Sequence, residues 1–197
     1  MVPALAELVE HLKSLPGIGE RTALRLALHL MKRPEESLRA FGDAITALSK
    51  LSYCPECGMV TADGLCPYCS DPRRDSTRIC VVESIRDVLS IESTGDYKGL
   101  YHILGGVISP LDGIGPADLN ISPLLERICS GSVSEVILAI SRGLEGETTS
   151  FYVAKLIAPH NVEISAIARG VGFGDDLEYT DSVTLGRAII ARVPFKL

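Results

Sequence analysis

Four cysteines dominate the chemistry available to this chain. Cys54 and Cys57 form one C-x2-C knuckle, Cys66 and Cys69 form another, and eight residues separate them. Two such turns facing each other supply four thiolates in the tetrahedral arrangement of a closed structural zinc site. With all four positions filled by protein, one Zn2+ ion has no open place for water or substrate. Its contribution is therefore folding free energy, on the order of 10 kcal/mol in small zinc modules. The N-terminus shows no apolar secretory leader, which points to a reducing cytoplasm, where paired thiols favour metal over disulfides.

A second constellation is Leu15-Pro16-Gly17-Ile18-Gly19, followed by Arg21 and Arg25. It resembles a helix-hairpin-helix motif. Gly17 and Gly19 can take positive φ and carry no side chain, so backbone N–H groups at a helix start can approach a phosphate closely. Arg21, Arg25 and Lys13 add charge-assisted contacts. Such contacts see the backbone and not the bases, so they imply DNA binding with little sequence preference. The same residues also suit a plain turn between two packed helices.

Charge is divided along the chain. Its formal net charge is -6, yet residues 1–78 carry ten Lys/Arg against ten Asp/Glu, and the rest carry nine against fifteen. Phosphate repulsion therefore directs nucleic acid to the first part, and leaves the acidic part for proteins or cations. No apolar run reaches the length of a membrane span.

The elements that must position these groups change character along the chain. From Pro3 to about Lys50 the apolar spacing is helical, with Leu5, Leu8, Val9 and Leu12, then Ala23 to Leu30, and a third helix from Pro34. A polar connector, Ser70 to Arg78, follows the cysteine module. From Ile79 short β-branched runs alternate with helical stretches: strands over Ile79–Glu83, Tyr101–Leu104, Glu135–Ile140 and Glu163–Ala168, helices ending near Ile91, over Glu147–Ala158 and over Val183–Ala191. That rhythm predicts an α/β domain with a buried parallel sheet. Cys80 and Cys129 lack metal spacing and read as buried packing residues.

Together, the Leu-Pro-Gly-Ile-Gly hairpin, the four cysteines, the strand Cys80-Val81-Val82-Glu83 and the stretch Tyr101 to Pro116 resemble the bacterial RecR family of recombination mediators, essentially end to end. The resemblance implies a multidomain α/β chain: a helix-hairpin-helix region over 1–53, a C4 zinc finger over 54–69, a Toprim domain over 78–173 and a C-terminal region over 174–197. It implies recombinational DNA repair with RecO and RecF, promoting RecA loading on single strands coated by single-strand-binding protein. It also implies ring-like homo-oligomers that can encircle DNA.

Toprim enzymes hold Mg2+ with a Glu after the first strand and an Asp-x-Asp pair after a later one. Glu83 occupies the first place, but Ser141-Arg142-Gly143 follows the later strand and no Asp-x-Asp is present. This argues for a non-enzymatic protein; the alternative is a Mg2+-dependent nuclease or primase-like phosphoryl transferase using Glu83 with Glu145 or Glu147. The Glu145-Gly146-Glu147 pattern matches the family and reads equally as a partner or weak Mg2+ contact and as a favourable helix start. The Ile140-Ser141-Arg142 segment departs from the family's Thr-Asn-Pro. Asp175-Asp176-Leu177-Glu178-Tyr179 reads as a solvated acidic turn. Arg73, Arg74 and Arg78 are expected to reinforce phosphate contact.

Overall fold

The computed structural model describes residues 1–141, 143–168, 170–171, 174 and 176–190. The chain divides into two units, Met1–Leu51 and Ser52–Leu197.

The first unit is helical: α1 (Pro3–Lys13), α2 (Glu20–Leu30) and α3 (Glu35–Ala47). Proline at the first turn of α1 forfeits an N–H that would have no partner there. Val9, Ala23 and Ala27 are buried, with Leu5, Leu8, Leu12 and Ile18 packed around them. Two fully buried alanines one turn apart let the backbones of α1 and α2 approach closely. Ile18 thus anchors the hairpin from below, and the residues on either side of it stay exposed.

The second unit opens with a two-stranded antiparallel ribbon, β1 (Ser52–Tyr53) with β2 (Val60–Thr61), around the first cysteine knuckle. There follow β3 (Asp75–Val82), α4 (Ile85–Thr94), β4 (Gly99–Ile103), α5 (Ser122–Cys129), β5 (Glu135–Ala139), α6 (Leu144–Ile157), β6 (Glu163–Ala166) and α7 (Ser182–Ile190). The last four strands by this order, β3 to β6, make one parallel sheet in the order β4-β3-β5-β6. Ile79 and Val81 point into a core with Leu124, Ile128, Val136, Leu138, Val153 and Ile157. Cys80 and Val82 point the other way, onto Val88, Tyr101 and Ile103. Burial on both faces explains why this strand reads as an unbroken apolar run. Ser84 and Asp87 cap α4 reciprocally, and Gly95 ends it at φ 74°.

Two expectations are corrected. β3 begins at Asp75, four residues before the apolar run, so the connector is shorter than its polarity suggested. The register with β4 shifts between Asp75 and Ile79, and there the Asp75 carboxylate accepts from the Thr77 N–H and hydroxyl and from Arg78 Nε. Cys80 is buried as expected, but Cys129 is exposed, because it is the last residue of a short helix and faces away from the core. Its Sγ lies 3.7 Å from His160 Nδ1. Arg142, Phe173, Asp175 and Ala191 lie outside the described residues.

Candidate metal centre and nucleic-acid interface

The two knuckles bring Cys54, Cys57, Cys66 and Cys69 together with all four sulfurs within 4.8 Å of one another. A tetrahedron of Zn–S bonds near 2.3 Å requires sulfurs about 3.8 Å apart, so the cluster has the right dimensions. Cys57 and Cys66 sulfurs are 3.4 Å apart. The Met59 N–H points at Cys57 Sγ and the Cys69 N–H at Cys66 Sγ, contacts that favour thiolates. Burial pushes the Cys66 thiol up to about 11, and the Cys69 thiol together with burial pushes Cys57 higher still. Cys57 and Cys66, crowded and desolvated in this way, ionise readily only against a cation, so the donor set fits a bound metal. It is the one group of three or more potential ligands among the described residues.

The knuckle is joined to the sheet at several points. The Ile103 N–H of β4 donates to Cys57 O at 2.8 Å. Gly58, at φ 77°, sits so close that an added Cβ would lie 3.0 Å from Asn120 Nδ2 and 3.2 Å from Ile103 O. Arg127 donates to Tyr101 O at 2.8 Å and to Glu56 O at 3.3 Å. Tyr68 meets Tyr101 edge to face at 5.6 Å. Beside them His102 is fully buried; its Nε2 donates to Asn120 O at 2.5 Å and its Nδ1 has no partner.

Arg74 belongs to this joint, which corrects its expected place on a DNA surface. Its side chain is 11% exposed, it pairs with Glu92 at 2.5 Å and donates to Gly99 O at 2.9 Å, and its guanidinium lies over the Tyr68 ring. Glu92 also accepts from Tyr101 OH at 2.6 Å. Arg73 and Arg78 remain accessible, but are paired with Asp71 and Asp75. Those arginines hold the two carboxyls down to about 2, with the Thr77 hydroxyl the foremost influence on Asp75.

In the hairpin, Gly17 adopts φ 79°, as a turn glycine should. Gly19 does not share that conformation: at φ -85° and ψ 170° it is the extended cap of α2. No side chain caps this helix, so the first-turn N–H groups of Glu20, Arg21 and Thr22 have no intrahelical acceptor. A Cβ at Gly17 or Gly19 would meet nothing within 4 Å, so the space at the positive end of the helix is open. Arg21 and Arg25 are exposed beside it. Lys13, with its side chain 32% exposed, pairs with Glu10 at 2.8 Å.

The carboxylates of the second unit stand at the carboxyl ends of the strands. Glu83 follows the central strand β3, and its carboxylate accepts from the Ser141 N–H beyond β5. Glu145 and Glu147 lie in the first turn of α6. Ser109 Oγ lies 2.6 Å from Glu145 Oε1 and 2.7 Å from Asp112 Oδ2, and its single proton serves one of them at a time. Thr149 fixes the same loop by accepting from the Ile108 N–H and donating to Glu145 O. Sequence reasoning found these acids but missed Ser109, Asp112 and Thr149, whose polarity alone does not distinguish them from ordinary loop and helix residues.

Three family models match the chain: a RecR helix-hairpin-helix over residues 5–48, a Toprim domain over 77–168 and a RecR C-terminal region over 170–193. Similar proteins include the recombination protein RecR of Phocaeicola vulgatus, 52% identical over 97% of this chain and 94% of that protein. RecR of Porphyromonas gingivalis is 48% identical over 97% and 93%. RecR of Flavobacterium johnsoniae is 50% identical over 95% and 92%.

Proposed function

Since the chain belongs to the RecR family of recombination proteins, we propose that it is a DNA-binding mediator of recombinational repair that carries out no covalent chemistry itself. The observation that carries this reading is the uncapped N-terminus of α2, open at Gly17 and Gly19 and flanked by exposed Arg21 and Arg25. A phosphate seated there accepts from backbone amides in the favourable field of the helix, and two guanidiniums close over its neighbours. Lys13 can join them while sharing its charge with Glu10, 2.8 Å away.

In this reading the four-cysteine cluster holds one Zn2+ and supplies folding energy to the joint between knuckle and sheet. The acidic second unit meets protein partners, RecO and RecF, and the assembly promotes RecA loading on single strands displaced from single-strand-binding protein. Glu83, Glu145 and Glu147 form the partner contact or hold a weak Mg2+. The protein works in the cytoplasm as a ring-like homo-oligomer; among the described residues no helix is long and apolar enough to cross a membrane. A phosphoryl transferase is disfavoured: Glu83 is engaged by a backbone N–H, and no Asp-x-Asp follows β5 to complete a cation site.

The test is fluorescence anisotropy of a labelled oligonucleotide across a salt series. Replacing Arg21 and Arg25 together with Gln should weaken binding and flatten the slope of log K against log salt by roughly 1.4 to 1.8. Unchanged affinity and slope would remove the hairpin from the DNA site.

A further inference from the structure

Beyond the hairpin, basic residues that neither the motif nor the comparisons assign continue along α2 and the turn after it. Arg21, Leu24, Arg25, Leu28, His29 and Lys32 line one shallow surface groove. At 100° per residue, positions 21 to 29 of this set fall within an arc of about 140°, opposite the side that buries Ala23 and Ala27. Lys32 stands in the turn that continues the helix, where its N–H donates to His29 O at 3.2 Å.

The four basic residues are free of ion pairs among the described residues, and no carboxylate lines the groove. Glu35, in the next helix, is taken by Arg39 at 2.7 Å. A chain with formal net charge -6 that keeps such a stripe uncompensated has a surface for a polyanion. From Arg21 to Lys32 the helical rise covers about 16 Å, and one DNA strand presents a phosphate roughly every 3.4 Å of axis. The groove is thus as long as about five phosphates. Leu24 and Leu28, 37% and 44% exposed between the cations, offer apolar contact to sugar faces.

We infer that one polynucleotide strand runs from the hairpin along α2, with His29 and Lys32 as phosphate contacts additional to Arg21 and Arg25. This extension rests on the hairpin reading proposed above. Its direction is fixed by the helix: the hairpin amides take the first phosphate, and the imidazole N–H and the Lys32 ammonium take the last.

The full-length protein carrying His29→Gln and Lys32→Gln tests it in the same salt series, with Arg33→Gln as a neighbouring charge outside the groove. The double variant should bind several-fold more weakly and lose about 0.7 to 0.9 of slope, while Arg33→Gln should keep the parental slope. Parental slope in the double variant, with the arginine pair still sensitive, would overturn the extension and leave the hairpin standing. Equal losses in the double variant and Arg33→Gln would also overturn it, since a diffuse field would then account for both. Insensitivity of all three cation sets would overturn both readings.

Discussion

Replacing Gly58 with Ala probes whether the metal knuckle and the sheet are one rigid body. Two separate penalties apply. At φ 77° an L-residue costs about 1–2 kcal/mol. The new methyl would also stand 3.0 Å from Asn120 Nδ2 and 3.2 Å from Ile103 O, and overpacking of this kind costs roughly 1–3 kcal/mol. Gly64 separates the two effects, because it too has positive φ, 56°, but a Cβ there meets nothing within 4 Å. Gly64→Ala should therefore lose about 1 kcal/mol, or roughly 2–4 °C in Tm, and Gly58→Ala about 3 kcal/mol, or roughly 6–12 °C. Differential scanning calorimetry supplies the melting points, and elemental analysis the zinc per chain after dialysis against a weak chelator. Gly58→Ala should also retain less zinc than Gly64→Ala. Matching melting points with full zinc in both would show that the knuckle tolerates displacement from β4, and the joint described above would be wrong.

Two further outcomes follow from the same region. Arg74→Met keeps the stem of the side chain but leaves Glu92 without its ion-pair partner, so stability in urea should fall by about 2–4 kcal/mol, part of the pair being solvent-screened, while the salt slope of DNA binding stays parental. A lost slope with intact stability would return Arg74 to the DNA surface. Burial holds His102 down to about 4. An unfolded histidine titrates near 6.5, so the unfolded chain binds the proton first; stability should decline as pH falls from about 6.5 to about 4, by up to about 3 kcal/mol. Urea midpoints across that range in the parent and in His102→Gln should show the decline shrinking in the variant.

The gathering of the four cysteines and the burial of the central strand were legible from residue spacing, since two C-x2-C turns have few other uses and the apolar rhythm of Ile79 to Val82 reports burial on both faces. What escaped was polar structure formed by distant partners. Asp75 to Arg78 looked like a connector because the strand there is held by a carboxylate network and not by apolar packing. Arg74 looked like a surface cation because its partner, Glu92, lies 18 residues away on another element. Cys129 was expected inside because its neighbours are apolar, but at 100° per residue it falls on a side of the helix turned away from buried Leu124 and Ile128. Gly19 showed the reverse: the glycine was found, while its role came from missing bulk and not from unusual dihedrals.

β4 forms one border of its sheet, and the Cys57 carbonyl claims the Ile103 amide on that border. Borders with vacant amides recruit foreign strands and seed aggregates. The knuckle therefore also shields part of that margin: displacing it would free the amide to pair with a foreign strand, so that loss of the four-cysteine fold would show itself as insoluble protein.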